Sequence, residues 1–290
     1  MNTKVTLAFP ADLHSGSTVG LMPSGVWQKE EGGTHIPSHT QELIYQQWIE
    51  CWDVVRQLRK GGRLIVTCMG DLVDGIHHDK TELVTHIRAE QERMAKSVLA
   101  TGLQIAEYEP DYGDIFQVLR GTPIHVYRSE EAIARDIDGA RPHTKPSQPD
   151  GEDGRFVHSR LVFYVNGILF DCAHDGVGVG GRAWLEENQL FLTLKNLYWE
   201  ALENGVSAPN YFIRAHKHQM LTVPFERRGK MIRGVITPAM QYKTEYGYSV
   251  TSKSIKRATI GMYIVVVEKD GSHRWHCPQF EMPEREIEEL

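Results

Sequence analysis

No stretch of the 290-residue chain approaches the roughly 20 consecutive apolar residues that a membrane-spanning helix needs. The opening run, Val5 to Phe9, is too short for the apolar core of a secretion signal, and no small-residue cleavage site follows it. Cysteine is scarce. Cys51, Cys68, Cys172 and Cys277 stand far apart without paired spacing, which argues against a disulfide framework and suits a reducing compartment. A cytoplasmic protein without a membrane partner is therefore expected. An excess of positive charge is also missing: the formal net charge is −6, so the chain as a whole is no electrostatic trap for nucleic acid. Internal repeats and low-complexity segments are absent as well.

What is present is the balance of a soluble globular protein, 41% hydrophobic and 24% charged. The length can bury a sizeable core, and residues 1–290 are read as a single domain. Charge is uneven along it. From Arg227 to Arg257 the only acidic residue is Glu245, and Tyr242, Tyr246 and Tyr248 are interleaved with the lysines and arginines. That segment reads as the polar face of a sheet, with nucleic-acid contact as the competing reading. Residues 281–290 reverse the sign and read as a solvated acidic tail.

Val5–Phe9 reads as a buried strand ending at Asp12-Leu13-His14. Residues 15–39, rich in Gly, Ser and Pro, read as a long loop, which invites a mobile lid. Ile44, Trp48, Cys51, Trp52, Val55 and Leu58 form one apolar stripe on a helix from Thr40 to Lys60, with both tryptophans in the core. Gly61-Gly62 ends it. Leu64 to Met69 is a continuous apolar run suited to a central strand, and it stops at Gly70-Asp71. A helix is expected from Thr81 to Ile105, then a strand from Ile115 to Leu119 that stops at Arg120-Gly121-Thr122. Further on, Leu161–Val165 and Ile168–Cys172 flank Asn166-Gly167 as a hairpin. A helix over Trp184 to Glu203 and strands at Tyr211–Arg214 and Tyr263–Val267 follow. Helices alternate with strands early and hairpins dominate late. The pattern predicts an α/β layered sandwich of two mixed β-sheets flanked by helices.

Polar residues collect where these strands stop: Asp-x-His, Gly-Asp-x-x-Asp-Gly, Gly-Thr-x-x-His, a lone His174, and His-x-His. Ligands of open α/β sheets gather beyond the carboxyl ends of strands. Alternate residues of an extended segment face the same way, so Asp12 with His14, and His216 with His218, can address one site. Carboxylate and imidazole donors suit manganese, iron, zinc or similar divalent ions. A carboxylate such as Asp71 can bridge two cations, and such a pair clamps a phosphoryl group and acidifies a water for in-line attack.

Asp12-Leu13-His14, Gly70-Asp71-Leu72-Val73-Asp74-Gly75, Gly121-Thr122, Ala173-His174 and Ala215-His216-Lys217-His218, in that order, resemble the motifs of the calcineurin-like metallophosphoesterases, and the phage-type members more than the eukaryotic protein phosphatases. The resemblance implies a phosphomonoesterase or phosphodiesterase with two divalent metal ions, manganese first and iron, zinc, nickel or magnesium as alternatives. By the same resemblance Asp12, His14 and His218 hold one ion, His174 and His216 hold the other, and Asp71 bridges them and serves catalysis. The phosphoester substrate could be a nucleotide or nucleic acid. One motif departs from the family. Where an Asn and a His are usual, this chain has Thr122 and Pro123. Thr122 is then a weaker ligand or yields to water, and His125 is the candidate proton donor to the leaving group.

Bland readings compete with the sharp ones. Asp74 is expected to support a ligand rather than be one. His77-His78 read as an exposed pair, and Gly176 to Gly181 as a loop beside the site whose Arg182 is the candidate substrate contact. His273, His276 and Cys277 lack a fourth partner for a zinc site. The altered third motif also motivates a different class of function, a catalytically inactive interaction scaffold that keeps the fold.

Overall fold

The computed structural model describes residues 3–76, 82–143, 155–177, 186–244 and 258–280. Along the chain come β1 (Val5–Phe9), a small hairpin of β2 (Trp27–Gln28) and β3 (Thr34–His35), α1 (His39–Arg59), β4 (Arg63–Cys68) and α2 (Arg88–Ile105). Next are β5 (Ile115–Leu119), the short α3 (Pro123–Val126) and α4 (Ser129–Arg135), and β6 (Val157–His158). A hairpin of β7 (Leu161–Val165) and β8 (Ile168–Cys172) leads to α5 (Glu186–Glu203) and β9 (Tyr211–Arg214). The chain continues through β10 (Leu221–Arg227), β11 (Lys230–Ile236), β12 (Ile260–Gly261), β13 (Tyr263–Val267), β14 (His273–His276) and β15 (Gln279–Phe280).

Every residue of β1 is buried, so this strand needs cover on both faces. It lies inside a six-stranded sheet of order β14-β13-β1-β4-β5-β6, parallel to β4 and antiparallel to β13. A five-stranded sheet, β10-β11-β9-β8-β7, packs against it. Strand periodicity divides the side chains between layers. Val5, Leu7 and Phe9 of β1, with Ile65 and Val265, meet Phe170, Tyr211, Ile213 and Val235 between the sheets. Ala8, Leu64, Val66, Phe116 and Ile264 face the other way, onto α1 and α2. On the far side of the second sheet, Leu190, Leu194 and Tyr198 of α5 cover Phe212, Val223, Phe225, Ile232 and Ile236. The result is two mixed sheets sandwiched between helices.

Helix α1 begins in a reciprocal capping box. Ser38 accepts from the Gln41 N–H, and the Gln41 side chain accepts from the Ser38 N–H. It ends at Lys60 in the left-handed conformation, one residue before the expected glycine pair. Trp48 and Trp52 stack edge to face with centroids 5.4 Å apart, both fully buried, and Trp48 donates to the Val98 carbonyl of α2 at 2.9 Å.

Helix α2 starts at Arg88, later than the Thr81 expected from periodicity. Residues 82–87 are spent otherwise. Thr18 donates from its backbone to the Glu82 carbonyl and Val84 to the Gly16 carbonyl, so this stretch pairs with the segment after His14. Residues 15–38 carry the β2–β3 hairpin, and Glu90 accepts from Trp27 Nε1 and the Glu30 N–H. Among the described residues, no helix is long and apolar enough to cross a membrane.

Candidate metal centre

Strands β1, β4 and β5 run parallel in one sheet, and β8 and β9 run parallel in the other. Their carboxyl ends meet at one rim. The Asp12 N–H donates to the Gly70 carbonyl at 3.0 Å, and the His14 N–H to the Asp71 carbonyl at 3.0 Å. Within the second sheet the Ala215 N–H donates to the His174 carbonyl at 2.8 Å, and the His216 N–H ties that sheet to the first by donating to Asp12 Oδ2 at 3.1 Å.

The backbone here is unusual. Asp12, His14, Asp71, His216 and His218 all have φ between 44° and 71°, the left-handed region that side chains with a Cβ avoid. They make up half of the ten non-glycine residues in that region among the described residues. Strain of this kind persists where surrounding contacts over-determine it, and here it turns carboxylates and imidazoles off the strand ends into one space.

Two donor groups result. The candidate ligand atoms of Asp12, His14 and His218 lie within 4.8 Å of one another, as do those of Asp71, His174 and His216. Asp71 Oδ2 is 3.1 Å from His174 Nε2 and 3.8 Å from His216 Nδ1, and also 3.9 Å from His14 Nε2. One carboxylate oxygen thus stands between the groups. Thr122 Oγ1 donates to that oxygen at 3.0 Å and lies 3.2 Å from His174 Nε2 and 3.1 Å from His216 Nδ1.

Hydrogen bonds set the tautomers. His174 Nδ1 is 2.7 Å from the Met69 carbonyl, which can only accept, so Nδ1 carries a proton and Nε2 is the nitrogen directed at the site, where a cation would replace any proton it holds. His14 Nδ1 is 3.0 Å from Asp74 Oδ1, which leaves the His14 Nε2 lone pair facing the same way. That nitrogen and Asp12 Oδ1 are buried without a hydrogen-bond partner; His218 Nε2 lies 3.4 Å from the Asp12 oxygen, outside hydrogen-bond geometry. Two buried polar atoms without hydrogen-bond partners cost about 1–3 kcal/mol each in desolvation, a cost that a bound cation removes. The donor set therefore fits a divalent metal ion.

The charge balance agrees. Burial alone raises the Asp71 carboxyl, but the nearby imidazoles of His174 and His216, 3.1 and 3.8 Å from Oδ2, outweigh it and hold it well below the usual range. Asp12 is likewise raised by burial and lowered further by His218. Burial lowers His174, yet its bond to Asp71 pushes it up to about 10. The carboxylates thus call for positive charge, which imidazole protons or a cation can supply in competition.

Asp74→Asn is expected to weaken one manganese-binding step by about 10- to 100-fold and leave the other within about threefold, because only His14 loses its carboxylate support. Calorimetric titration with manganese reads both steps; equal weakening of the two would contradict this coupling.

All eight of the sequence-predicted ligands and catalytic residues that lie in the described segments converge here: Asp12, His14, Asp71, Thr122, His125, His174, His216 and His218. His125 sits on α3, edge-on to His14 at 4.9 Å between ring centroids, with Nδ1 2.8 Å from the Asp74 carbonyl. Arg182 lies outside the described residues, as do His77, His78 and the acidic tail. Tyr242 is buried in the core rather than displayed for stacking, and residues 245–257 are outside the described range. His273, His276 and Cys277 form no metal-ligand group among the described residues.

Glu130 escaped the sequence reading. It is buried behind the third motif, accepts from the Gly121 N–H at 2.9 Å, and is pushed up to about 8 by burial and by the charge of Asp71. In Ser129-Glu130-Glu131 it reads as one of two surface acids, and no sequence signal separates it from its neighbour.

No family model matches the chain, and no curated protein matches it. Solved structures overlap it loosely. A conserved uncharacterized protein from Streptococcus pneumoniae TIGR4, described as a predicted phosphoesterase, is 10% identical, with 95% of this chain and 99% of that one covered and a TM-score of 0.30. The E. coli phosphoesterase Yfce is 11% identical over 93% of this chain and 98% of its own, with a TM-score of 0.36. The sulfate thiohydrolase SoxB from Thermus thermophilus, in complex with glycerol, is 14% identical over 95% of this chain and 56% of its own, with a TM-score of 0.36. Overlaps this loose carry no inference about this chain.

Proposed function

We propose that this protein is a metal-dependent phosphoesterase of the calcineurin-like kind. The observation that carries the reading is Asp71 Oδ2 standing between two Asp/His groups whose innermost atoms, Asp12 Oδ1 and His14 Nε2, are buried without hydrogen-bond partners. Asp12, His14 and His218 would hold one divalent ion and His174, His216 and Thr122 the other, with Asp71 shared. Bound there, the pair would supply Lewis-acid charge to a phosphoryl group and make water a better nucleophile near neutral pH.

The chain's own residues do the rest. Asp74 holds the His14 ring in one tautomer, and the Met69 carbonyl does the same for His174. The Thr122 N–H donates to Asp71 Oδ1 at 2.7 Å and fixes the plane of the shared carboxylate. With His125 Nδ1 bonded to a carbonyl, a proton passed to a leaving oxygen would come from Nε2 of the imidazolium form. His125→Ala is therefore expected to slow esters with alkoxide leaving groups by about 100-fold while slowing nitrophenyl esters less than about fivefold, since nitrophenolate leaves without a proton. Equal losses on both would remove the proton-donor role.

The reading as a whole is tested by a panel of phosphomonoesters and phosphodiesters run with manganese, iron, zinc, nickel and magnesium, alongside metal analysis. Turnover that appears with divalent metal and disappears with chelator is the expected result. A protein that binds fewer than about one ion per chain and hydrolyses nothing would instead be an interaction scaffold on this fold.

A further inference from the structure

Beside the metal centre, on the far side of Arg120, lies a second cavity of about 450 Å³ that the site's chemistry does not use. Arg120 lines both this cavity and the one of about 270 Å³ that contains Thr122 and His174. The two cavities therefore share Arg120 as a common wall residue. Four guanidinium-bearing residues wall the larger one: Arg120, Arg128, Arg135 and Arg155. Its acids are turned inward to the backbone, where Glu130 accepts from the Gly121 N–H and Glu131 from the Phe156 and Val157 N–H groups. Arg120 and Arg128 thus bring positive charge to the cavity wall, while its two acids accept from backbone N–H groups.

Tyr127 completes the wall. It is 68% exposed, and a left-handed backbone (φ 45°) holds it out from the end of α3. The guanidinium groups of Arg128 and Arg88 lie over its ring, with Cζ atoms 5.7 and 5.4 Å from the centroid. A nucleobase stacked on this ring would take the place of one guanidinium, whose fork would then pair with the phosphate beside that base. Arg forks match phosphate oxygens two at a time, which a single charge on a surface lysine does not.

We propose that this cavity binds a second, uncleaved phosphate of the substrate, with Tyr127 against the attached base, so that the enzyme acts on nucleotides bearing a further phosphate, as in a polynucleotide strand. The inference rests on the phosphoesterase reading and deepens it. It also moves recognition of nucleic acid from the basic 227–257 segment to the third-motif flank. Net negative charge is no obstacle, because the arginines are concentrated beside the reacting phosphate.

The test compares two chromogenic esters on the manganese-loaded protein, thymidine 5′-(p-nitrophenyl phosphate) and the same ester carrying a 3′-phosphate. Wild type is expected to prefer the 3′-phosphorylated ester by at least about tenfold in kcat/KM, and Arg120→Ala/Arg128→Ala to reduce that preference to about twofold or less. Equal use of the two esters by wild type, or a preference that survives in the double variant, overturns the proposal. If neither ester is hydrolysed, the reading as a diesterase fails, and calorimetry of thymidine 3′,5′-bisphosphate on metal-free protein decides the cavity independently. Binding that is lost in the double variant supports it. No binding to wild type, or equal binding to both proteins, overturns it.

Discussion

Asp71→Asn is expected to reduce turnover by at least about 10³-fold, equivalent to roughly 4 kcal/mol of transition-state stabilisation, while leaving the fold in place. The substitution changes almost no volume at a residue that is 1% exposed, so packing around it is preserved. What it removes is charge. The carboxylate is held ionised, against its burial, by the nearby imidazoles of His174 and His216, and the same oxygen lies 3.9 Å from His14 Nε2. A neutral amide oxygen cannot serve two cations at once. Both manganese-binding steps should weaken together, unlike the single step affected by Asp74→Asn. Calorimetry and steady-state kinetics on the same preparation read the two effects, with the melting midpoint reporting the fold. Retention of a tenth or more of wild-type turnover would mean that Asp71 is not the shared ligand.

Gly121→Ala should cost at least about 100-fold in turnover although it replaces none of the candidate ligands. A Cβ at Gly121 would lie 2.2 Å from the Asp71 nitrogen and 2.3 Å from Asp71 Oδ1, and neither atom belongs to a flexible side-chain end. Gly70 packs against it from the other side, where a Cβ would meet the Gly121 Cα at 2.7 Å. The first turns after β4 and β5 therefore touch backbone to backbone, and any added methyl pushes the carboxylate off its position. A displacement near 1 Å in a site of this kind costs about two orders of magnitude. The expected signature is a fall in kcat with weakened manganese binding and a modest drop in melting midpoint. A Gly121→Ala protein with wild-type kinetics would show that the two turns are not in contact in solution.

Local rules reached the fold well where one signal acted alone. Val5–Phe9, Ile115–Leu119, Tyr211–Arg214 and Tyr263–Val267 are strands over the ranges their apolar runs mark, and Asn166-Gly167 sets the hairpin of β7 and β8. The start of α2 was out of reach, because residues 82–84 satisfy their backbone groups on Gly16 and Thr18, and no helical periodicity reports a partner about 65 residues away in sequence. Glu130 failed for a similar reason. Its neighbours in sequence describe a surface turn, and only the packing of α4 under the third motif buries it.

The candidate metal centre divides along the same line. The sequence by itself determined which residue types stand at the ends of β1, β4, β5, β8 and β9, because buried strands must stop where charged and imidazole side chains begin. Only the tertiary structure decided that these ends share one rim, that Asp71 lies between two groups, and that Asp12 Oδ1 and His14 Nε2 are buried without a hydrogen-bond partner. It also decided that Asp74 holds His14 and that Arg120 opens onto a second cavity. Those facts depend on two sheets packing face to face. Contacts between residues 204 positions apart, such as the His216 N–H on Asp12, follow from burial of the whole core rather than from any local pattern.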